Sequence, residues 1–443
     1  MTAGGRAIAR PAEPSRASFV GWASFAAAVF MLLVYSQGWV RPLTGGGDES
    51  QDSALIRALY LPAYAAAVGL MALGPLNVVR ATLRQPFVVA LMLIAAFSYF
   101  WSVSPDQTER RIFALAFTTL GALVLAARYR WAELAEVMAA AFAILAVASV
   151  FTGLFVPSIG RMSDTFPGSW RGLWIEKNSF GGDMAQGSVI CAAAALLNVR
   201  RARLWLTMAA IGAGLVLLST SKTSLISLML GFAALGLVWL VRRGPIAGVA
   251  GAWITVVALA AIGGVIFFAS DVIFNLLGKD ATLTGRTKIW AGVWREIQER
   301  PWQGWGYGAI WDETDDWGPL AWITKVAGFR AHHAHNSWLE QWLALGIPGL
   351  AAWIGLYLQT LAANIVALYR SKGAYLALPF FIVYSMTTLT ESIAVIYNDL
   401  RWVIFVALAA KLALPDAPAP PPRPAARPTL QVFPGGGPER SPK

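Results

Sequence analysis

Apolar runs of the length that crosses a lipid bilayer recur along this chain from end to end, and that recurrence limits the fold more than any motif. Inside a bilayer no water is available to satisfy backbone N–H and C=O groups, so apolar runs near 20 residues must fold as helices. The composition agrees, with 57% of the 443 residues hydrophobic and 13% charged, about half the charged share of a soluble domain. The runs predict an all-α polytopic membrane protein with about twelve spans. They lie near Phe19–Tyr35, Ile56–Leu73, Phe87–Trp101, Ile112–Ala127, Leu134–Leu154, Met184–Leu197, Leu204–Leu218, Ser224–Val241, Ile246–Phe268, Ile347–Tyr369, Tyr375–Leu389 and Val395–Leu412.

Cytoplasmic loops of membrane proteins carry excess Lys and Arg, so the gaps between runs test this reading. Starting from Arg6, Arg10 and Arg16, every second gap is basic: Arg80 and Arg84; Arg128 and Arg130; Arg200, Arg201 and Arg203; Arg242 and Arg243; Arg370 and Lys372. The other gaps hold most of the acids, including Asp48, Glu49, Asp52, Asp106, Asp164, Glu176 and the run from Asp312 to Asp316. Both termini are therefore expected in the cytoplasm, and the net charge of +11 reflects topology rather than nucleic-acid binding. Residues 1–18 read as a cytoplasmic N-terminal segment and 19–413 as the membrane domain. The Pro-rich stretch 414–443 lacks apolar residues to offset its ordering entropy and reads as a disordered cytoplasmic tail. No small-residue cleavage site follows Tyr35, so the first run is expected to be a helix rather than a signal peptide. Cys191 falls within a predicted span.

The longest external segment, 270–334, carries Trp290, Trp294, Trp302, Trp305, Trp311, Trp317 and Trp322. Indoles favour the membrane interface and also line grooves for sugar rings. Within the segment Ile289, Trp290, Val293, Trp294 and Ile297 recur at helical spacing, predicting a short interfacial helix capped by Thr282 or Thr284. Arg286 then falls in the first turn, where the helix dipole disfavours a cation unless an anion is near; a bound phosphate or simple solvation would both resolve that. Next comes Gly304-Trp305-Gly306-Tyr307-Gly308, read as a loop packed tightly against a neighbour.

All three histidines, His332, His333 and His335, close this segment. Histidine titrates nearest neutral pH and serves as acid or base with little tuning. Trp338, Leu339 and Trp342 share a helical face, which puts His335 and Asn336 at the start of a helix that breaks at Gly346–Pro348. The positive end of that dipole would keep the ring of His335 neutral, suiting a catalytic base. A metal site using the histidines with Asp312, Glu313, Asp315 or Asp316, and a purely structural cluster, are the alternatives. Arg171, Lys177 and Lys222 add external positive charge able, with Arg286, to hold a diphosphate or else lipid headgroups. Glu391 lies at an outer helix end, placed to orient a cation or a sugar hydroxyl.

Gly285-Arg286 with Ile289-Trp290, Pro301 with the Gly304 to Gly308 loop, and His335-Asn336 with Leu339 and Gly346-Ile347-Pro348-Gly349 resemble the O-antigen ligase and polysaccharide polymerase superfamily. Trp101-Ser102 with Pro105, Arg171-Gly172 with Lys177-Asn178 and Gly181, and Ser221-Lys222-Thr223 extend the likeness over most of the chain. The resemblance implies a GT-C-like inverting glycosyltransferase without metal or cofactor, acting at the outer face of the plasma membrane (the inner membrane of a Gram-negative cell). It implies a polyprenyl-diphosphate-linked glycan donor, a glycan acceptor, and membrane lipids and other polysaccharide-assembly proteins as partners. By the same likeness His335 is the base and Arg286 and Arg171 bind the diphosphate, with Lys177 and Lys222 as helpers; Asn336 and Glu391 are expected in support. Lys222 stands where relatives often carry arginine. The stretch from Trp170 to Gly181 looks more like an exopolysaccharide polymerase than a lipid A core ligase. A flippase or secondary transporter is the alternative of another class, although transporters usually hold ionisable residues at the bilayer midplane.

Overall fold

A computed structural model of the protein describes residues 16–44, 54–163, 166–244, 246–251, 253–254, 285–312 and 315–414. Among the described residues it is helical, with an isolated antiparallel bridge between Arg161 and Trp170. The helices are α1 (Arg16–Tyr35), α2 (Val40–Thr44), α3 (Ala54–Ala72), α4 (Pro75–Leu83), α5 (Pro86–Phe97), α6 (Pro105–Arg128), α7 (Trp131–Phe155), α8 (Pro157–Gly160), α9 (Lys177–Leu197), α10 (Ala202–Leu218), α11 (Lys222–Val241), α12 (Arg286–Glu299), α13 (Pro319–Ala327), α14 (Ser337–Arg370), α15 (Ala374–Thr388) and α16 (Leu400–Ala413). Among the described residues, seven helices are long and apolar enough to cross a membrane, namely α3, α6, α7, α9, α10 with the turn before it, α11 and α14. The count rises to eight if α4 and the α5 segment, bent by 88° at their junction, form one span.

This is a multi-span helical membrane protein, and the other expected runs take shorter forms. Proline at the first position of both α4 and α5 removes a backbone donor and starts each helix anew. The apolar parts of α1 and α15 are shorter than a full span, and α16 has 14 residues. Of the expected run Ile246–Phe268, residues 252 and 255–268 lie outside the described residues, as do 1–15, 270–284 with Thr282 and Thr284, and 415–443.

The bundle closes on α9, 83% of whose most apolar window is buried. Its Gly-, Ala- and Ser-rich sequence lets α7, α10, α11 and α15 approach closely. Helix α9 begins at Lys177, seven residues before the run expected at Met184, so Asp183 sits within a helix rather than ahead of one.

The segment read as external is described from Gly285 to Asp312 and again from Asp315. It folds into a cap with its own core, in which Ile289, Val293 and Ile297 of α12 meet Leu320 and Ile323 of α13, Ile310, Trp311 and Leu343. The indole N–H groups of Trp290 and Trp305 donate to the carbonyls of Ala334 and Glu296, each at 2.9 Å. Trp302 and Trp317 stay exposed at the cap surface, so the seven tryptophans divide between core and surface. The cap is tied to α14 by backbone bonds from Trp305 to Leu343 (3.0 Å), Gly306 to Ala344 (2.9 Å) and Ile347 to Pro301 (2.9 Å). Those bonds reach α14 where Gly346, at φ 66° and ψ −165°, breaks its helical geometry, the break expected from the sequence.

Candidate active site

The cap and the bundle meet at the segment 331–336 and at the link between α15 and α16, and both segments are irregular backbone held by side chains. Glu340 in the first turn of α14 pins the two together. One of its carboxylate oxygens accepts from the Ala334 amide (2.9 Å) and the Ser392 hydroxyl (2.8 Å), and the other accepts from the Trp311 indole. Ser337 donates to the Glu391 carbonyl (2.8 Å) and accepts from the amides of Ile393 (2.9 Å) and Ala394 (3.3 Å). Further along the link, Tyr307 donates to the Val395 carbonyl and Tyr64 to the Asn398 side chain. A buried link with unsatisfied carbonyls would cost several kcal/mol, roughly 1–3 per group, so these contacts make it possible.

His335 is held at φ 50°, a conformation that costs a non-glycine residue on the order of 1 kcal/mol and is found at functional sites. Its amide donates to Nδ1 of His333 (3.3 Å), and Asn336 caps α14 by accepting from the amides of Trp338 (2.9 Å) and Leu339 (3.1 Å). His335 therefore precedes the cap residue, and the dipole effect expected from the sequence gives way to a direct partner. That partner is Glu391, whose Oε2 lies 3.0 Å from Nδ1 of His335 and whose Oε1 accepts from Arg286 at 2.8 Å.

The local sequence explains how Arg286 arrives there. Gly285, at φ 86°, is the N-cap of α12, in place of the expected Thr282 or Thr284, and Arg286 opens the helix. Its side chain is 15% exposed, so it is not a solvated surface cation. The anion that its place at the positive helix end requires is supplied by Glu391.

Burial alone would raise the Glu391 carboxyl, but the hydrogen bond from His335 and the charge of Arg286 hold it down to about 2. An ionised carboxylate only accepts, so Nδ1 of His335 donates to it, and the tautomer that does so while neutral carries its lone pair on Nε2. His333 is driven down to about 3, first by burial and then by its neighbour His335, and so stays a neutral ring, its centroid 3.8 Å from that of His335. His332 is exposed.

The remaining expected residues occupy a second place. Arg171 is buried and donates to the carbonyls of Ile159 (3.1 Å) and Ser158 (3.2 Å). Lys177 opens α9, reaching the Thr220 hydroxyl (3.2 Å) and lying 3.5 Å above the Phe166 ring. Lys222 is exposed at the start of α11, behind the N-cap Ser221, which donates to Asn178 (3.0 Å). The structure thus joins Arg286 to His335 and Glu391, while Lys177 meets Thr220 and Arg171 meets the carbonyls of Ile159 and Ser158. Among the described residues the acids offered as metal ligands do not join the histidines: Asp312 is paired with Arg111; Glu313 lies outside the described residues. Instead His333, His335 and Glu391 bring three ligand atoms within 4.8 Å of one another.

Residues 206–354 match the family model described as O-antigen ligase. Over 276 residues the chain is 28% identical to the exopolysaccharide production protein ExoQ of Rhizobium meliloti (strain 1021), a match that takes in 60% of this chain and 61% of that protein's length. Both matches point to the O-antigen ligase and Wzy-type polymerase superfamily. The family match takes in Lys222, Arg286, His335 and Asn336, whereas Arg171, Lys177 and Glu391 lie outside it. Glu391 thus enters the site through geometry.

Sequence reasoning missed Glu340, whose role needs the tertiary fold, and a buried charge cluster. Arg401 pairs with Asp399, 2.5 Å from its Oδ2, and its Nε lies 3.9 Å from Asp183 Oδ1. Two carboxylates facing one guanidinium leave no surplus cation. Arg401→Ala should therefore cost about 3 kcal/mol through two unpaired buried acids, and adding Asp183→Asn should recover part of the loss. Thermal unfolding in detergent checks both.

Within the site, Glu391→Gln is expected to reduce activity by about 10² or more, since an amide can donate to Nδ1 of His335 and invert its tautomer. Kinetics on the purified variant test this, and full retention of activity would remove Glu391 from the site.

Proposed function

We propose that this protein polymerises polyprenyl-diphosphate-linked oligosaccharide repeat units at the outer face of the plasma membrane. The His335–Glu391–Arg286 bridge, a base joined to a cation through one carboxylate, carries the reading. Nε2 of His335 takes the proton of the acceptor hydroxyl, whose oxygen attacks the anomeric carbon and inverts it. The bond from that carbon to the diphosphate breaks, and Arg286 neutralises the charge on the departing polyprenyl diphosphate. Glu391 stabilises the imidazolium that forms and holds the ring in place. Among the described residues the structure engages one of the five N–H donors of Arg286, so the guanidinium retains donors for phosphate. In this reading Arg171, Lys177 and Lys222 add positive charge that draws the diphosphate in, Lys222 as a point charge. The diphosphate is already a good leaving group, so one base and cationic stabilisation suffice and no metal takes part. In this reading about twelve helices cross the bilayer in a GT-C-like arrangement, with both termini inside.

The exopolysaccharide role in the name of the Rhizobium relative favours the polymerase. The description of the matching family supports a second reading, transfer of a finished glycan to lipid A core. Purified protein in liposomes, given a lipid-linked repeat unit and EDTA, should yield a ladder of longer lipid-linked glycans. Transfer to added lipid A core without a ladder would establish the ligase. Movement of the donor across the bilayer with no new glycosidic bond would sink both readings in favour of a flippase.

A further inference from the structure

We infer that His333, His335 and Glu391 form a binding site for a zinc-type divalent ion, and that filling it switches the proposed transfer reaction off. The donor set comes first. Two imidazoles and a carboxylate with a coordination position left open suit zinc and its neighbours among the transition metals. Geometry agrees with chemistry, since the three ligand atoms lie within 4.8 Å of one another and Nδ1 of His335 is 3.0 Å from Oε2 of Glu391. Adjacent ligands of a tetrahedral zinc ion sit about 3.3 Å apart, so rotations of side chains close the site without backbone movement. The ring centroids of His333 and His335 are 3.8 Å apart and inclined at 53°, so neither imidazole has far to travel.

Arg286 decides what kind of site this is. Its guanidinium stands 2.8 Å from the other oxygen of Glu391 and opposes a dication, so the ion is an occasional occupant and not a resident one. Its effect follows from the tautomer. A metal on Nδ1 of His335 needs the lone pair there, so the proton now on Nδ1 moves through water to Nε2. The ring stays neutral with no net proton released, but Nε2 now carries a proton and cannot accept one from a hydroxyl. Glu391 is drawn to the metal at the same time. The inhibition rests on the transfer reading, whereas the binding does not.

Binding is measured first, on the purified full-length protein in detergent, with Co2+ as the probe. One equivalent per chain, with the visible absorption of nitrogen-ligated Co2+ and displacement by Zn2+, is the expected result. His333→Ala, His333→Gln and Glu391→Gln should each weaken binding at least about tenfold, with folding checked by thermal unfolding, while His332→Ala leaves it unchanged. Failure to bind one equivalent, or loss of binding in His332→Ala alone, overturns the site. In the liposome assay Zn2+ should halt transfer, chelation should restore it, and His333→Ala should need at least about tenfold more Zn2+. Transfer that continues with the site filled overturns the inhibition. Stoichiometric binding by a protein that performs no transfer upholds the site and overturns the transfer reading.

Discussion

Replacing His335 with alanine is expected to lower glycan transfer by about 10³-fold, the share a positioned general base usually supplies, while the protein still folds and inserts. Loss of activity alone would not separate chemistry from architecture, because His335 sits at φ 50° and its amide helps to hold the loop. Asparagine separates them. It adopts the left-handed conformation more readily than other side chains but offers no base. His335→Asn should therefore be as inactive as His335→Ala yet unfold at no lower temperature. His332→Ala, at an exposed position, should stay close to wild type. Substantial transfer by His335→Asn would take the proton-abstraction role away from this residue.

Gly346→Ala is expected to be the most damaging change outside the site. The backbone there, φ 66° and ψ −165°, is open almost solely to glycine, and a Cβ would fall 2.1 Å from the Trp302 carbonyl oxygen. Strain of ~1–3 kcal/mol and a similar steric cost add to about 4 kcal/mol, enough to separate the cap from α14. The cap carries Arg286 and His335, and α14 carries Glu340, so separation would also dismantle the Arg286–Glu391–His335 bridge. Thermal unfolding and protease sensitivity of the cap measure the first effect, and the transfer assay the second. Wild-type stability in Gly346→Ala would show that the junction tolerates a different backbone.

Hydropathy makes the helical membrane architecture legible, because a bilayer permits few alternatives to an apolar run. Span boundaries are less legible: proline restarts at Pro75 and Pro86 shorten some runs, and α9 begins in the polar stretch at Lys177. The cap was visible as a Trp-rich segment, but its core of Ile289, Val293 and Ile323 emerges from pairing two short helices. At the site, Arg286 and His335 stand out by residue type and neighbours, and Glu391 by its helix end. That one carboxylate joins both could not be read, since 56 residues separate it from His335. Of the four cations expected in one basin, Arg286 meets Glu391 and Lys177 meets Thr220. Arg171 spends its donors on the carbonyls of Ser158 and Ile159, an arrangement that no local pattern signals.

A structure of the protein with the lipid-linked donor bound tests the central claim most directly. The account predicts the diphosphate within hydrogen-bonding distance of Arg286, and the anomeric carbon facing a space that an acceptor hydroxyl shares with Nε2 of His335. A donor seated with its diphosphate away from Arg286, or with its anomeric carbon out of reach of any hydroxyl that contacts His335, would contradict it.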